Sequence, residues 1–269
     1  ETLPITQFYA GAIDHLDPRR LYGGTQDNGT VRTWTGGLDD WSMIYGGDGF
    51  YTLVDPRNSN IIFAEYQYGN LARSTNGGSS FYSCLNGVPS GARRNWSTPV
   101  VFDPANPDRM YYGTYRLFRS TNGSASWSAI SPDLTGGTQG ATLVYATLTT
   151  IAVAPGNGEV IYVGTDDARV WRTTDGGAHW TDRSAGLPDR WVTRVAIDPV
   201  DPDIAYVAQS GYRSDDPAAR LHRTTDGGAT WTGIAAGLPE APVNALVIDP
   251  AAPNLLYAGT DVGVFVSPD

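Results

Sequence analysis

The chain has 269 residues, a net charge of −10 and 18 basic residues, every one of them Arg. So acidic a balance argues against a nucleic-acid partner, because that affinity rests on Lys and Arg neutralising phosphates. Cys84 stands alone, so neither an internal disulfide nor a Cys-based metal site can form, and no run of about eighteen apolar residues exists to span a membrane.

The 32 Gly and eight Trp suit many short strands joined by tight turns, and the length suffices for a substantial core in one domain, residues 1–269. Alternating apolar positions bounded by turn residues predict strands in groups of four. The first group runs Ile5 to Ile13, Leu21 to Thr25, Thr30 to Trp34 and Trp41 to Tyr45. The second runs Tyr51 to Val54, Ile61 to Tyr66, Leu71 to Ser74 and Phe81 to Leu85. The third has Pro99 to Phe102, Met110 to Thr114, Leu117 to Ser120 and Trp127 to Ile130. After a long connection, Ser131 to Tyr145, the fourth has Thr149 to Val153, Val160 to Thr165, Val170 to Thr173 and Trp180 to Arg183. The fifth has Val192 to Ile197, Ile204 to Gln209, Leu221 to Thr224 and Trp231 to Ile234. A sixth has only Val243 to Ile248, Leu255 to Thr260 and Val264 to Ser267.

One stretch organises these groups. Arg172-Thr173-Thr174-Asp175-Gly176-Gly177-Ala178-His179-Trp180 returns nearly letter for letter at Arg223 to Trp231. Worn copies stand at Arg73 to Phe81 and Arg119 to Trp127, with Asn76 and Asn122 for the Asp, and a distant one at Thr35 to Trp41. The chemistry is that of a hairpin turn: an Asp or Asn side chain accepts bonds from the turn's own amides, glycines supply positive φ, and an aromatic plugs the space between sheets. Copies 46, 53 and 51 residues apart make a repeat architecture. The expected fold is all-β, a β-propeller of about six four-stranded antiparallel blades with the last one incomplete. Both ends fall inside a repeat, which suggests a segment of a longer repeat protein, or self-association through the incomplete blade. The first residues lack the basic-then-apolar pattern of a signal peptide, as in a mature or trimmed product.

Antiparallel strands put the Asp-type turns on one rim and the variable loops on the other, where propeller ligands usually sit. The loop rim collects Tyr66, Tyr68, Trp96, Arg116, Trp191, Tyr212 and Arg213, candidate ligand-binding residues among several carboxylates. Aromatic faces stack on pyranose rings and carboxylates grip hydroxyls; Tyr, Trp and Arg equally anchor protein partners. Glycoside hydrolysis needs two carboxylates flanking the bond. Asp27 and Asp48, in Gln26-Asp27-Asn28-Gly29 and Gly47-Asp48-Gly49, form the first candidate pair, with Asp166 and Asp261 behind them. An Asp before Gly is also ordinary turn chemistry. Glu65 either points into the channel or is paired there. The three His form no metal cluster, and no metal or cofactor is expected.

The Ser/Thr-x-Asp-Gly-Gly-x-x-Trp turns, with Asp-Pro and Tyr-x-Gly-Thr strands before them, resemble the Asp-box (BNR) repeats of sialidases, xyloglucan-hydrolysing two-propeller enzymes, sortilin-type receptors and photosystem-assembly propellers. That resemblance implies the propeller fold and leaves function divided between enzymes and binders. The Arg-Ile-Pro signature of sialidases is missing. The xyloglucanase group looks closer: its catalytic Asp after Thr is matched by Thr165-Asp166 and Thr260-Asp261-Val262-Gly263, with Thr25-Gln26-Asp27 displaced by one residue. Ile5 to Tyr9 and Gly23 to Gly29 look like stretches of secreted bacterial Asp-box proteins. The resemblance thus implies an extracellular or periplasmic glycoside hydrolase, or a non-catalytic glycan- or protein-binding propeller.

Overall fold

Asp-Pro ends the first strand of several units, and in the second its side chain starts the reversal: the Asp55 carboxylate accepts the Arg57 amide at 2.8 Å, so Asp55 pairs directly with Asn58. The computed structural model describes residues 6–137, 145–210 and 220–267. Among these there are 23 strands and no helix.

Sheet one holds β1 to β4 (Phe8–Ile13, Leu21–Thr25, Gly29–Thr33, Ser42–Tyr45), and sheet two β5 to β8 (Thr52–Asp55, Asn58–Tyr66, Asn70–Ser74, Tyr82–Ser83). Sheet three holds β9 to β12 (Val100–Asp103, Asn106–Gly113, Leu117–Ser120, Ser128–Ala129), and sheet four β13 to β16 (Leu148–Ala154, Asn157–Thr165, Val170–Thr173, Thr181–Asp182). Sheet five holds β17 to β20 (Val192–Ile197, Ala205–Gln209, Leu221–Thr224, Thr232–Gly233), and sheet six β21 to β23 (Val243–Asp249, Ala252–Thr260, Gly263–Ser267). Every sheet is antiparallel and ordered as in the chain, giving a six-bladed β-propeller whose last described blade has three strands. The tight turns let β6, β14 and β22 begin three residues, and β10 four, before the sequence pattern suggests. Fourth strands shrink to two residues in sheets two to five, because the aromatic that precedes each points at the neighbouring sheet.

Five hydrophobic clusters hold the blades, each straddling one pair of successive sheets. An aromatic of the second strand recurs at one register position, opposite the Arg of the third: Tyr22, Phe63, Tyr111, Tyr162 and Tyr206 are all buried there. Burying each ring contributes about 1.5–3 kcal/mol. The matching residue of sheet six, Tyr257, is 38% exposed. None of the five clusters joins sheet six to sheet one.

The Asp-type turns are built alike. In the fourth, the Thr173 hydroxyl donates to Asp175 at 2.8 Å and accepts the Gly177 amide, while Asp175 accepts the His179 amide at 2.9 Å. Asn76 and Asn122 do the same work in the worn copies, accepting the Ser80 and Ser126 amides at 3.0 Å. In the distant first copy Asp40 takes the part, receiving the Thr33 hydroxyl and the Trp34 amide.

Candidate functional site

On the opposite rim, the β2–β3 hairpin closes over Gln26, Asp27 and Asn28, with the Thr25 hydroxyl donating to the Gly29 carbonyl at 2.7 Å. Asp27 sits at φ 61°, a left-handed turn position that Asp tolerates better than most residues. Its amide therefore faces the next loop and donates to the Asp48 carboxylate at 2.5 Å. That loop lies flat on the hairpin because of Gly49, whose amide donates to the Thr25 carbonyl at 3.0 Å. A Cβ there would come within 2.5 Å of the Gly29 carbonyl oxygen, so only glycine fits.

Asp48 is 9% exposed and fully engaged, its second oxygen accepting the Gln67 side-chain amide at 3.0 Å. Asp27 presents its carboxylate to solvent. The two are neighbours through one hydrogen bond, and one of them is free.

The run continues across three units. Tyr68, 47% exposed and also left-handed at φ 60°, donates its amide to the Trp96 carbonyl at 3.0 Å. Its ring meets Trp96 edge-on at 4.9 Å and Tyr145 at 6.4 Å. Trp96 in turn meets Phe50 at 5.8 Å, and Phe50 stacks on Tyr9 at 4.7 Å. Burial and the Asp48 charge push the Tyr9 hydroxyl above its ordinary pKa. Tyr9 reaches this group because the β1–β2 register slips between Phe8 and Ala10, a bulge that re-aims the side chain. Beyond Trp96, Asn95 donates to the Thr147 hydroxyl at 2.8 Å and to Asp166 at 3.5 Å.

Asp166 is buried and holds its own surroundings in place, accepting the Tyr145 amide at 2.7 Å and the Thr147 amide at 2.8 Å. Burial raises its pKa, with the Asp167 charge adding to it against those amides. Arg93 fixes the same side: it donates to Asp133 at 2.7 Å and lies 4.4 Å over the Tyr115 ring.

Beneath the aromatic run lies Glu65, fully buried. It takes a register position that the other five units give to Gly24, Gly113, Gly164, Ala208 and Gly259. The position abuts the following unit: a Cβ on Gly164 would lie 2.3 Å from Val192. Glu65 instead reaches across, accepting the Thr98 amide at 3.1 Å and the Tyr51 amide at 3.5 Å with one oxygen. It thereby ties the segment bearing Phe50 to the segment bearing Trp96. Burial lifts its pKa well above the usual carboxylate range, only partly opposed by those amides, and its second oxygen has no partner.

The candidates of the sequence divide accordingly. Asp27, Asp48, Tyr68, Trp96 and Asp166 are brought into one contact run. Tyr66, 38% exposed, borders it, 6.0 Å from Tyr45. Arg116 stands aside at 5.5 Å from the Tyr115 ring, and Asp261 is exposed and bonded to Asn244 at 2.6 Å. Trp191 belongs to the fifth unit, where its carbonyl accepts the Ser210 amide at 2.9 Å. Tyr212 and Arg213 lie outside the described residues. Tyr9, Asn95 and Tyr145 are members that the sequence pattern did not single out. No group of three or more His, Cys, Asp or Glu able to hold a metal occurs among the described residues.

No protein-family model matches the chain. It is 25% identical to a xyloglucanase of Paenibacillus sp over 179 residues, covering 52% of this chain and 16% of that enzyme. Over 62 residues it is 42% identical to the photosystem II assembly lipoprotein Ycf48 of a Synechococcus strain, covering 23% of this chain and 16% of that protein. In three dimensions it matches an ancestral GH74 enzyme with a TM-score of 0.72 at 20% identity, over 99% of this chain and 40% of the other. The chain thus spans well under half the length of these relatives, and the structural likeness establishes the propeller fold.

Proposed function

We propose that this propeller is a secreted, carbohydrate-active protein that binds a glycan chain along the Asp27–Trp96 rim and hydrolyses it with the Asp27 and Asp48 carboxylates. The observation that carries this reading is the contact between the two Asp loops, set beside a semi-exposed row of rings, Tyr9, Tyr68 and Trp96. Rings of that kind offer faces to pyranose units, and a desolvated carboxylate beside an exposed one gives the bond two unlike flanks. The xyloglucanase relatives support the same class of substrate.

The test is direct. Asp27→Asn is expected to abolish release of reducing sugar from a β-glucan panel while changing stability by less than about 0.5 kcal/mol, as for a solvent-facing site. Asp48→Asn is expected to abolish release as well. Full activity in both variants rejects the pair.

A second reading has its own observation. Both Asp48 oxygens already accept protein donors, so the residue serves loop geometry without any chemistry, as in a binding propeller. The Ycf48 relative is an assembly factor. Saturable binding of a glycan or peptide, with no turnover across the panel, decides for this alternative.

A further inference from the structure

Beneath the loop rim, one buried residue departs from the repeat. At the register position of Glu65, units one, three, four and six place glycine and unit five places Ala208. The following unit leaves little space there: a Cβ on Gly24 would lie 2.2 Å from the Phe50 carbonyl oxygen, and one on Gly113 would lie 3.1 Å from the Leu148 side chain. Packing alone calls for a small residue at this position. Unit two buries a carboxyl instead, at a cost that a merely structural position has no reason to carry.

Glu65 holds both segments that carry the rings. Its carbonyl accepts the Phe50 amide and its amide donates to the Tyr51 carbonyl, each at 3.2 Å, while Oε1 takes the Thr98 amide at 3.1 Å and the Tyr51 amide at 3.5 Å. The Thr98 hydroxyl donates to the Asn95 carbonyl at 2.9 Å, closing the turn that presents Trp96. Phe50 directly follows Asp48 and Gly49, so the same tether reaches the Asp27–Asp48 contact. Oε2 is buried without a hydrogen-bond partner, and no charge among the described residues acts on the carboxyl. Around it stand Leu71 opposite on β7, Tyr112 of β10 with Cys84 and Arg94 beside that ring, Asp48 and Tyr51 on the segment entering β5, and Tyr68 in the next hairpin; its neighbour Tyr66 is exposed. Burial pushes the Cys84 thiol to about 11 and the Tyr112 hydroxyl above its ordinary 10, so both stay neutral between about pH 5 and 9. Burial also raises the Glu65 carboxyl well above 4.5, so it keeps its proton at about pH 5 and gives it up as pH rises.

We propose that Glu65 is the positioning residue of the Asp27–Trp96 rim: its proton keeps the Phe50 and Trp96 segments together, and its ionisation lets them part. A carboxylate held by two amides and no cation is relieved only by water, and water reaches it by separating these two segments. The consequence for binding rests on the reading of this rim as the glycan site. Affinity is then full at acid pH and falls as pH rises through the raised value, through a residue that does not touch the glycan.

Hydrogen exchange on the intact chain without ligand tests the link directly. Between about pH 5 and 9, and after correction for the intrinsic rate, protection of residues 47–52 and 95–99 is expected to fall at least roughly tenfold while residues 221–233 keep theirs. In Glu65→Gln, protection of both segments is expected to be independent of pH. Glu65→Ala, which installs the residue found at this position in unit five, serves where Glu65→Gln alters folding, and is expected to leave both segments poorly protected at every pH. Cellohexaose, followed by calorimetry, is expected to bind the natural chain roughly fivefold or more weakly at the upper end of this range, and Glu65→Gln with less than about a twofold change. Protection that stays level with pH in the natural chain overturns the proposal, as does affinity that stays level while protection falls. So does an equal fall in Glu65→Gln, which would assign the effect to another rim group such as Asp166, whose pKa burial also raises. Absence of cellohexaose binding at every pH, beside the expected change in protection, upholds the Glu65 link and rejects the glycan reading of the rim.

Discussion

The two rims of this propeller obey different rules. On one, four turns repeat the same hydroxyl-to-carboxyl or hydroxyl-to-amide geometry, whether the acceptor is Asp175, Asp226, Asn76 or Asn122. On the other, equivalent positions carry Asp27 in one hairpin and Tyr68 in the next, both left-handed, with different side chains put to different uses. A rim whose chemistry is the same in every unit serves packing between units. A rim that differs from unit to unit is where a ligand can be told from its competitors.

The sharpest way to break this comparison is to remove a plug from the uniform rim. Trp127 is 3% exposed and its indole is bonded to Cys84, so Trp127→Ala is expected to cost about 3–5 kcal/mol in urea unfolding, with a cavity between sheets two and three. A loss below about 1 kcal/mol would show that the turns do not bear the packing.

Glu65 tests the variable rim from beneath. Its folded pKa stands above the ordinary 4.5, so the fold prefers the protonated form; the associated stability is complete below pH 4.5 and is lost as pH rises through the raised value. Glu65→Gln, which mimics the neutral carboxyl, is expected to be more stable than the natural chain at pH 8 by about 1–3 kcal/mol and nearly equal at pH 4. Equal stability at both pH values would contradict the buried, half-partnered placement of this carboxyl.

The smallest effect belongs to the acids of the uniform rim. Hydrogen bonds from the His179 amide and ring, and from the Thr230 hydroxyl and amide, hold Asp175 and Asp226 at about 2 against an ordinary 3.8. Their stabilisation is present above pH 3.8 and lost as pH falls towards 2. The double variant Asp175→Asn with Asp226→Asn is therefore expected to flatten the acid limb of a thermal-stability profile and leave the neutral melting temperature in place, since Asn76 and Asn122 already do this work. A large loss at pH 7 would separate the Asp turns from their Asn copies.

The sequence by itself determined the blades. Recurring turns, the Asp-Pro reversals and the strand-two aromatics are local or periodic signals, each readable because its cause lies within a few residues. It also marked Asp27 and Asp48, through glycines that their loops require. Only the tertiary structure decided which of these meet. Tyr9 joins the site because a bulge breaks the alternation that groups it with the exposed Gly11 and Ile13, and Tyr145 joins because Asp166 pins its amide from another loop. Glu65 could be read as pointing to the channel or as paired; its place between units two and three follows from the stacking of sheets. The choice depends on the register of one blade against the next, a long-range quantity that no window of the chain contains.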